Sequence, residues 1–117
     1  MITDEPIQNL KILDTTLMDE FIHLIIQNIA PEKIILFGSY AYGEPNMESD
    51  IDLFIILRES QIPRYKRARQ LRKVFRKYRN LEFDFIIYTE DEVAEWKDVD
   101  LSFVNTVLKK GRLVYEK

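Results

Sequence analysis

Two aspartates one residue apart, Asp50 and Asp52, open the apolar run Ile51-Asp52-Leu53-Phe54-Ile55-Ile56-Leu57. A strand this apolar should carry no carboxylates on one face, because desolvating each costs several kcal/mol unless it is paired or metal-bound. Side chains alternate along a strand, so Asp50 and Asp52 point the same way, about 7 Å apart. Two like charges held so close call for a cation. Ten residues separate them from Gly38-Ser39, where a glycine lets backbone N–H groups approach a phosphate and Ser39 adds a hydroxyl donor. Hard oxygen donors beside such a turn point to Mg²⁺, one ion or two, and a nucleotide. A third carboxylate on a neighbouring strand, Asp84, would complete the site and accept the proton of an attacking hydroxyl. Glu82 shares a face with Asp84 and is the alternative ligand. The chemistry would be in-line displacement at phosphorus.

These residues need a scaffold, and the apolar periodicity supplies one. Leu17, Phe21, Leu24, Ile25 and Ile29 recur at helical spacing and predict a helix over Thr16 to Ala30, stopped by Pro31. Lys33 to Phe37 reads as a short strand running into Gly38. Asp50 to Leu57 is apolar on both faces past the acids and is expected to be a central strand. Pro63 suits the first turn of a long helix reaching Asn80, with Ala68, Leu71, Phe75 and Tyr78 on its buried face. A third strand is expected over Leu81 to Tyr88. Thr89-Glu90-Asp91-Glu92 has the form of a capping box that opens a short helix. Leu101, Val104 and Leu108 pattern a last helix, ended at Gly111, before a short strand over Arg112 to Tyr115. Strands alternating with helices predict a mixed α/β (α+β) domain built on one small sheet.

Composition bounds the chemistry. The chain has 117 residues, enough for one core. It has no cysteine and a single histidine, His23, which excludes disulfides, thiolate metal sites, cysteine nucleophiles and His-rich metal centres. No segment approaches the ~20 apolar residues of a membrane span, and the acidic start is unlike a signal peptide, so the cytoplasm is the expected compartment. The net charge of −3 hides an asymmetry: Arg64 to Arg79 holds nine Lys/Arg and no acid, leaving eight basic against twenty acidic residues elsewhere. A helix of that length spans about 24 Å, so its cations cannot all reach one small site. They face either solvent or a large phosphate-bearing or acidic partner. His23 is expected to be structural or exposed; Trp96 fits a core or an interface equally.

Leu36-Phe37-Gly38-Ser39-Tyr40-Ala41-Tyr42-Gly43, followed by Ser49-Asp50-Ile51-Asp52-Leu53, resembles the signature of minimal nucleotidyltransferases of the DNA polymerase β-like superfamily. Asp84 in Phe83-Asp84-Phe85-Ile86-Ile87-Tyr88-Thr89 stands where that family places its third acid, and Lys110-Gly111-Arg112-Leu113-Val114-Tyr115 looks like its C-terminal end. The resemblance implies a single nucleotidyltransferase domain over residues 1–117, with a mixed sheet flanked by helices. It further implies Mg²⁺-dependent transfer of a nucleoside monophosphate, with Asp50, Asp52 and Asp84 as metal-binding, catalytic residues and Gly38 and Ser39 at the nucleotide phosphates. Tyr42 stands where many relatives carry arginine, a departure that removes no metal ligand. Many such proteins are encoded beside a HEPN-domain ribonuclease toxin and act as its antitoxin by moving AMP from ATP to a toxin tyrosine. The partner so implied is that toxin, with homo- or hetero-oligomers open and direct nucleic-acid contact not favoured. Two other readings are a non-catalytic antitoxin that blocks the toxin by occupancy, and a transferase acting on a small molecule or RNA.

Overall fold

The computed structural model describes residues 15–38, 41 and 50–117. Helix α1 (Thr15–Ile29) is followed by strand β1 (Lys33–Phe37) and then β2 (Ile51–Leu57). A broken helical segment comes next: a 3-10 turn (Arg64–Lys66), helix α2 (Arg69–Val74) and a second 3-10 turn (Phe75–Lys77). The chain ends with β3 (Phe83–Thr89), α3 (Glu90–Trp96), α4 (Phe103–Lys110) and β4 (Arg112–Glu116). The strands form one mixed sheet in the order β3-β2-β1-β4. β1 pairs antiparallel with both β2 and β4, and β2 pairs parallel with β3. The fold is therefore α+β, and β2 is central as its two apolar faces require.

Strand alternation sorts the core into two layers. Ile51, Leu53 and Ile55 of β2 face the same way as Phe85 and Ile87 of β3, packing with Phe21 and Ile25 of α1 and with Leu71 and Phe75. Phe54 and Ile56 face the other way, with Ile35 and Phe37 of β1 and Val104 and Val107 of α4. Phe21 is fully buried, and its ring meets Tyr78 and Phe83 edge-on, both at 5.0 Å. Full burial of such a ring stabilises the fold by roughly 1.5–3 kcal/mol. Among the described residues no helix is long and apolar enough to cross a membrane.

Three expectations need correcting. The helix over Pro63 to Asn80 is not continuous. The run has no acids to pair with its cations at helical spacing, and like charges stack four apart at Arg69/Lys73, Arg72/Arg76 and Lys73/Lys77, which weakens a helix. Arg67 does not belong to the basic face at all: it is buried. Its Nη1 and Nη2 donate to Glu92 Oε1 and Oε2 at 2.7 and 3.1 Å, Nε to the Ile62 carbonyl at 2.8 Å, and Nη1 also to the Ile87 carbonyl at 3.1 Å. Leu101 lies outside α4, 93 % exposed and in the left-handed region at φ 65°. α4 instead starts at Phe103 behind the N-cap Ser102, whose hydroxyl accepts from Asn105 N–H, and it buries Val104, Asn105 and Val107.

One start signal and one stop signal act as their residue types dictate. Thr89 caps α3 in a full capping box, its hydroxyl accepting from Glu92 N–H while Glu92 Oε1 accepts from Thr89 N–H. Gly111 ends α4 where a Cβ would press within 2.5 Å of Ile35 Cγ2 and 2.7 Å of the Val107 carbonyl, so no larger residue fits the turn into β4.

Candidate active site

The parallel pairing of β2 with β3 sets Asp52 directly beside Asp84 in register, on strands about 4.8 Å apart. Asp52 also faces Phe37, the last residue of β1, so the chain enters Gly38 right next to it. Gly38 adopts φ 76°, where side chains are strained, and a Cβ there would run into Asp52 Oδ2, with Asp52 Cγ 3.0 Å away. This turn is possible only for glycine, on both grounds. The glycine motif and the carboxylate motif, apart in sequence, are thus one structural unit. Ala41 N–H donates to the Gly38 carbonyl at 3.0 Å and closes the turn.

Electrostatics mark Asp52 as the centre of the group. Burial pushes its carboxyl up, and the neighbouring charges of Asp84 and then Asp50 push it further, from 3.8 to about 6. No Lys or Arg forms an ion pair with Asp50, Asp52 or Asp84 among the described residues. Asp50 is exposed immediately before β2, and its charge reaches Asp52. Glu82 is exposed, and its backbone carbonyl accepts from Ile51 N–H at 2.8 Å; the charges that raise Asp52 are those of Asp84 and Asp50. Ser39, and Tyr42 with it, lie outside the described residues.

The donor set fits magnesium by its chemistry: oxygen only, hard, and carrying more negative charge than its surroundings offset. Among the described residues no group of three or more His, Cys, Asp or Glu closes into a ready-made metal cage.

Two further surfaces lie on the two faces of the sheet, and only the second is on the face of Asp52 and Asp84. On the α1/α2 side of the sheet a groove of about 620 Å³ is lined by Arg69, Arg72, Lys73, Arg76 and Arg79, with Glu82 at its edge. None of these five cations forms an ion pair among the described residues. On the opposite side, Phe103 sits over Phe37 and Phe54, beside Asp52. Sequence reasoning passed over Phe103; its position directly after the capping Ser102, off the buried face of α4, is the signal that would have found it.

A family profile described as "Polymerase beta, Nucleotidyltransferase" matches residues 19–117. Two proteins of Methanocaldococcus jannaschii, both carrying the provisional name protein adenylyltransferase, are similar in sequence. One is 32% identical over 80 residues, covering 68% of this chain and 75% of the relative; the other is 29% identical over 100 residues, covering 72% and 78%. The crystal structure of a protein from Sulfolobus solfataricus, provisionally titled a nucleotidyltransferase, shares the fold. It superposes with a TM-score of 0.58 over 96% of this chain and 84% of that one, at 20% identity. With the profile spanning most of the chain and the glycine turn seated against a strand-borne carboxylate pair, the chain belongs to the polymerase β nucleotidyltransferase family, as one of its minimal members.

Proposed function

We propose that this chain is a protein adenylyltransferase that moves AMP from ATP to a tyrosine of a cognate HEPN-type ribonuclease toxin and so acts as its antitoxin. The observation that carries the transfer chemistry is the register of Asp52 with Asp84 beside Gly38. The names of the M. jannaschii relatives support a protein acceptor; the toxin and its tyrosine rest on the motif resemblance.

In this reading the Gly38 turn receives the phosphates, and Asp50, Asp52 and Asp84 hold magnesium. Bound there, the ion supplies positive charge to the triphosphate and relieves the repulsion among the carboxylates. Asp84 takes the proton of the attacking phenol. The phenolic oxygen forms its bond to the α-phosphorus as the bond to the bridging oxygen breaks, and pyrophosphate leaves. Asp52, flanked by both other acids, fixes where the charge gathers.

The test incubates the chain with labelled ATP, Mg²⁺ and the protein encoded beside it. Label on a partner tyrosine, lost with Asp52→Asn, is the expected result. Silencing of the partner by Asp52→Asn as fully as by wild type would make the chain a blocking binder instead. Label on RNA or a small molecule, with the partner unlabelled, would change the acceptor.

A further inference from the structure

Phe103, 42 % exposed at the start of α4, meets Phe37 and Phe54 edge-on, with ring centroids 5.5 and 5.9 Å away. Phe37 is the register partner of Asp52, and Phe54 is the next residue on the same face of β2. Phe54 packs in turn on Tyr88 at 5.3 Å, and Arg64 holds its guanidinium 4.5 Å from the centre of the Tyr88 ring. Tyr88, Trp96 and Phe103, with Arg64, Ser102 and Val104, line a cleft of about 300 Å³. It opens on the face of the sheet that carries Asp52 and Asp84, since Asp84, Ile86 and Tyr88 alternate onto one side of β3. Trp96, at 43 % exposure, leaves much of its surface in water.

The lining is aromatic with a single cation, which suits a flat heteroaromatic ring with acceptor atoms on its edge. Phe103 packs on Phe37, the register partner of Asp52 and the residue before Gly38, so one wall of the cleft stands beside the carboxylate end of the sheet. The basic groove offers no equivalent: its rings Phe75, Tyr78 and Phe83 are packed against one another and against Phe21.

We propose that the Tyr88–Trp96–Phe103 cleft is the nucleobase site, where the base stacks on Phe103 and Trp96 and turns its acceptor edge to Arg64. Stacking area then favours a purine over a pyrimidine. The proposal rests on the nucleotide-transfer reading and adds to it the part of the chain that holds the base.

Trp96 is the only tryptophan, so its emission reports on the cleft directly. The full chain is titrated with ATP, CTP and tripolyphosphate, each with Mg²⁺, following both heat and fluorescence. ATP should quench Trp96 and bind more tightly than CTP, whereas tripolyphosphate should bind without quenching. Phe103→Leu should weaken ATP roughly tenfold and leave tripolyphosphate unchanged, while Leu108→Ser on the same helix outside the cleft should alter neither. If Phe103→Leu melts early, the wild-type contrast between ATP and tripolyphosphate decides. ATP binding no tighter than tripolyphosphate with Trp96 emission unaltered would overturn the cleft and leave nucleotide transfer standing. Failure of all three to bind would overturn both.

Discussion

At the start of β3, Asp84 faces Asp52 across the parallel pairing, with Asp50 close by and no cation paired to any of them among the described residues. Just past the end of the same strand, Glu92 meets Arg67 in a two-pronged pair that also ties down the Ile62 and Ile87 carbonyls. Burial and like charge push Asp52 up to about 6. The hydrogen bonds from Arg67, against some burial and with help from Thr89 N–H, bring Glu92 down to about 2. One end of β3 answers its charge within the chain; the other holds it open for something from outside. A charge serving structure is recognisable by its satisfied partners, and a charge serving chemistry by the lack of them.

The largest expected effect breaks the open end. Asp52→Asn and Asp84→Asn should each lower nucleotidyl transfer by about a hundredfold or more, with Glu82→Gln changing it little. A greater loss with Glu82→Gln in initial-rate measurements would move the third carboxylate to Glu82.

Breaking the closed end should cost stability instead of chemistry. Arg67→Met strands Glu92 and two carbonyls, and should destabilise by about 3–5 kcal/mol in urea unfolding. Adding Glu92→Leu should recover part of that loss. A single-variant cost near zero would mean that the pair does not hold α3 to the segment before α2.

The two ends should also carry opposite pH signatures. Asp52 binds its proton more tightly folded than unfolded, so its penalty is absent below 3.8, grows as pH rises, and is complete above about 6. In chelator, Asp52→Asn should therefore stabilise the chain above that range by on the order of 1 kcal/mol after solvent screening, and not at all in acid. Glu92 is depressed, so its contribution is full above 4.5 and fades as pH falls toward about 2. Melting temperatures of both variants across pH would show the two windows. An Asp52→Asn chain less stable than wild type at neutral pH would refute the account of that end.

The smallest effect is expected at the rim. Lys73→Glu with Arg76→Glu, both lining the basic groove, should slow association with the proposed toxin partner and flatten its salt dependence. Transfer to a small surrogate acceptor should be unaffected. Association unchanged at low salt would make the groove a solvated face.

What could be read from the residues was what repeats or caps locally. α1, β1 and β2 fall within a residue of the positions their periodicity predicts, and the Thr89 box opens α3 where its spacing says. The carboxylates stood out because their run is otherwise apolar. Arg67 was hidden because its partner, Glu92, lies two elements away, and among eight neighbouring cations nothing in its own segment distinguishes a buried arginine from a solvated one. Leu101 misled for a similar reason: helical spacing cannot tell a residue before the cap from one after it, and Ser102 decides. The closeness of Gly38 to Asp52 is a property of antiparallel register, invisible until β1 and β2 are paired.

The parallel pairing of β2 with β3 has a consequence for how the chain becomes active. The strands are joined by the whole of residues 58–82, so their contact is non-local, the kind of contact that slows folding. Until it closes, Asp52 sits in water without Asp84 beside it and titrates as any aspartate does. The step that brings the crowded charge into being is the same one that completes the sheet. A half-folded chain therefore lacks the paired carboxylates, and the site arrives only with the finished fold.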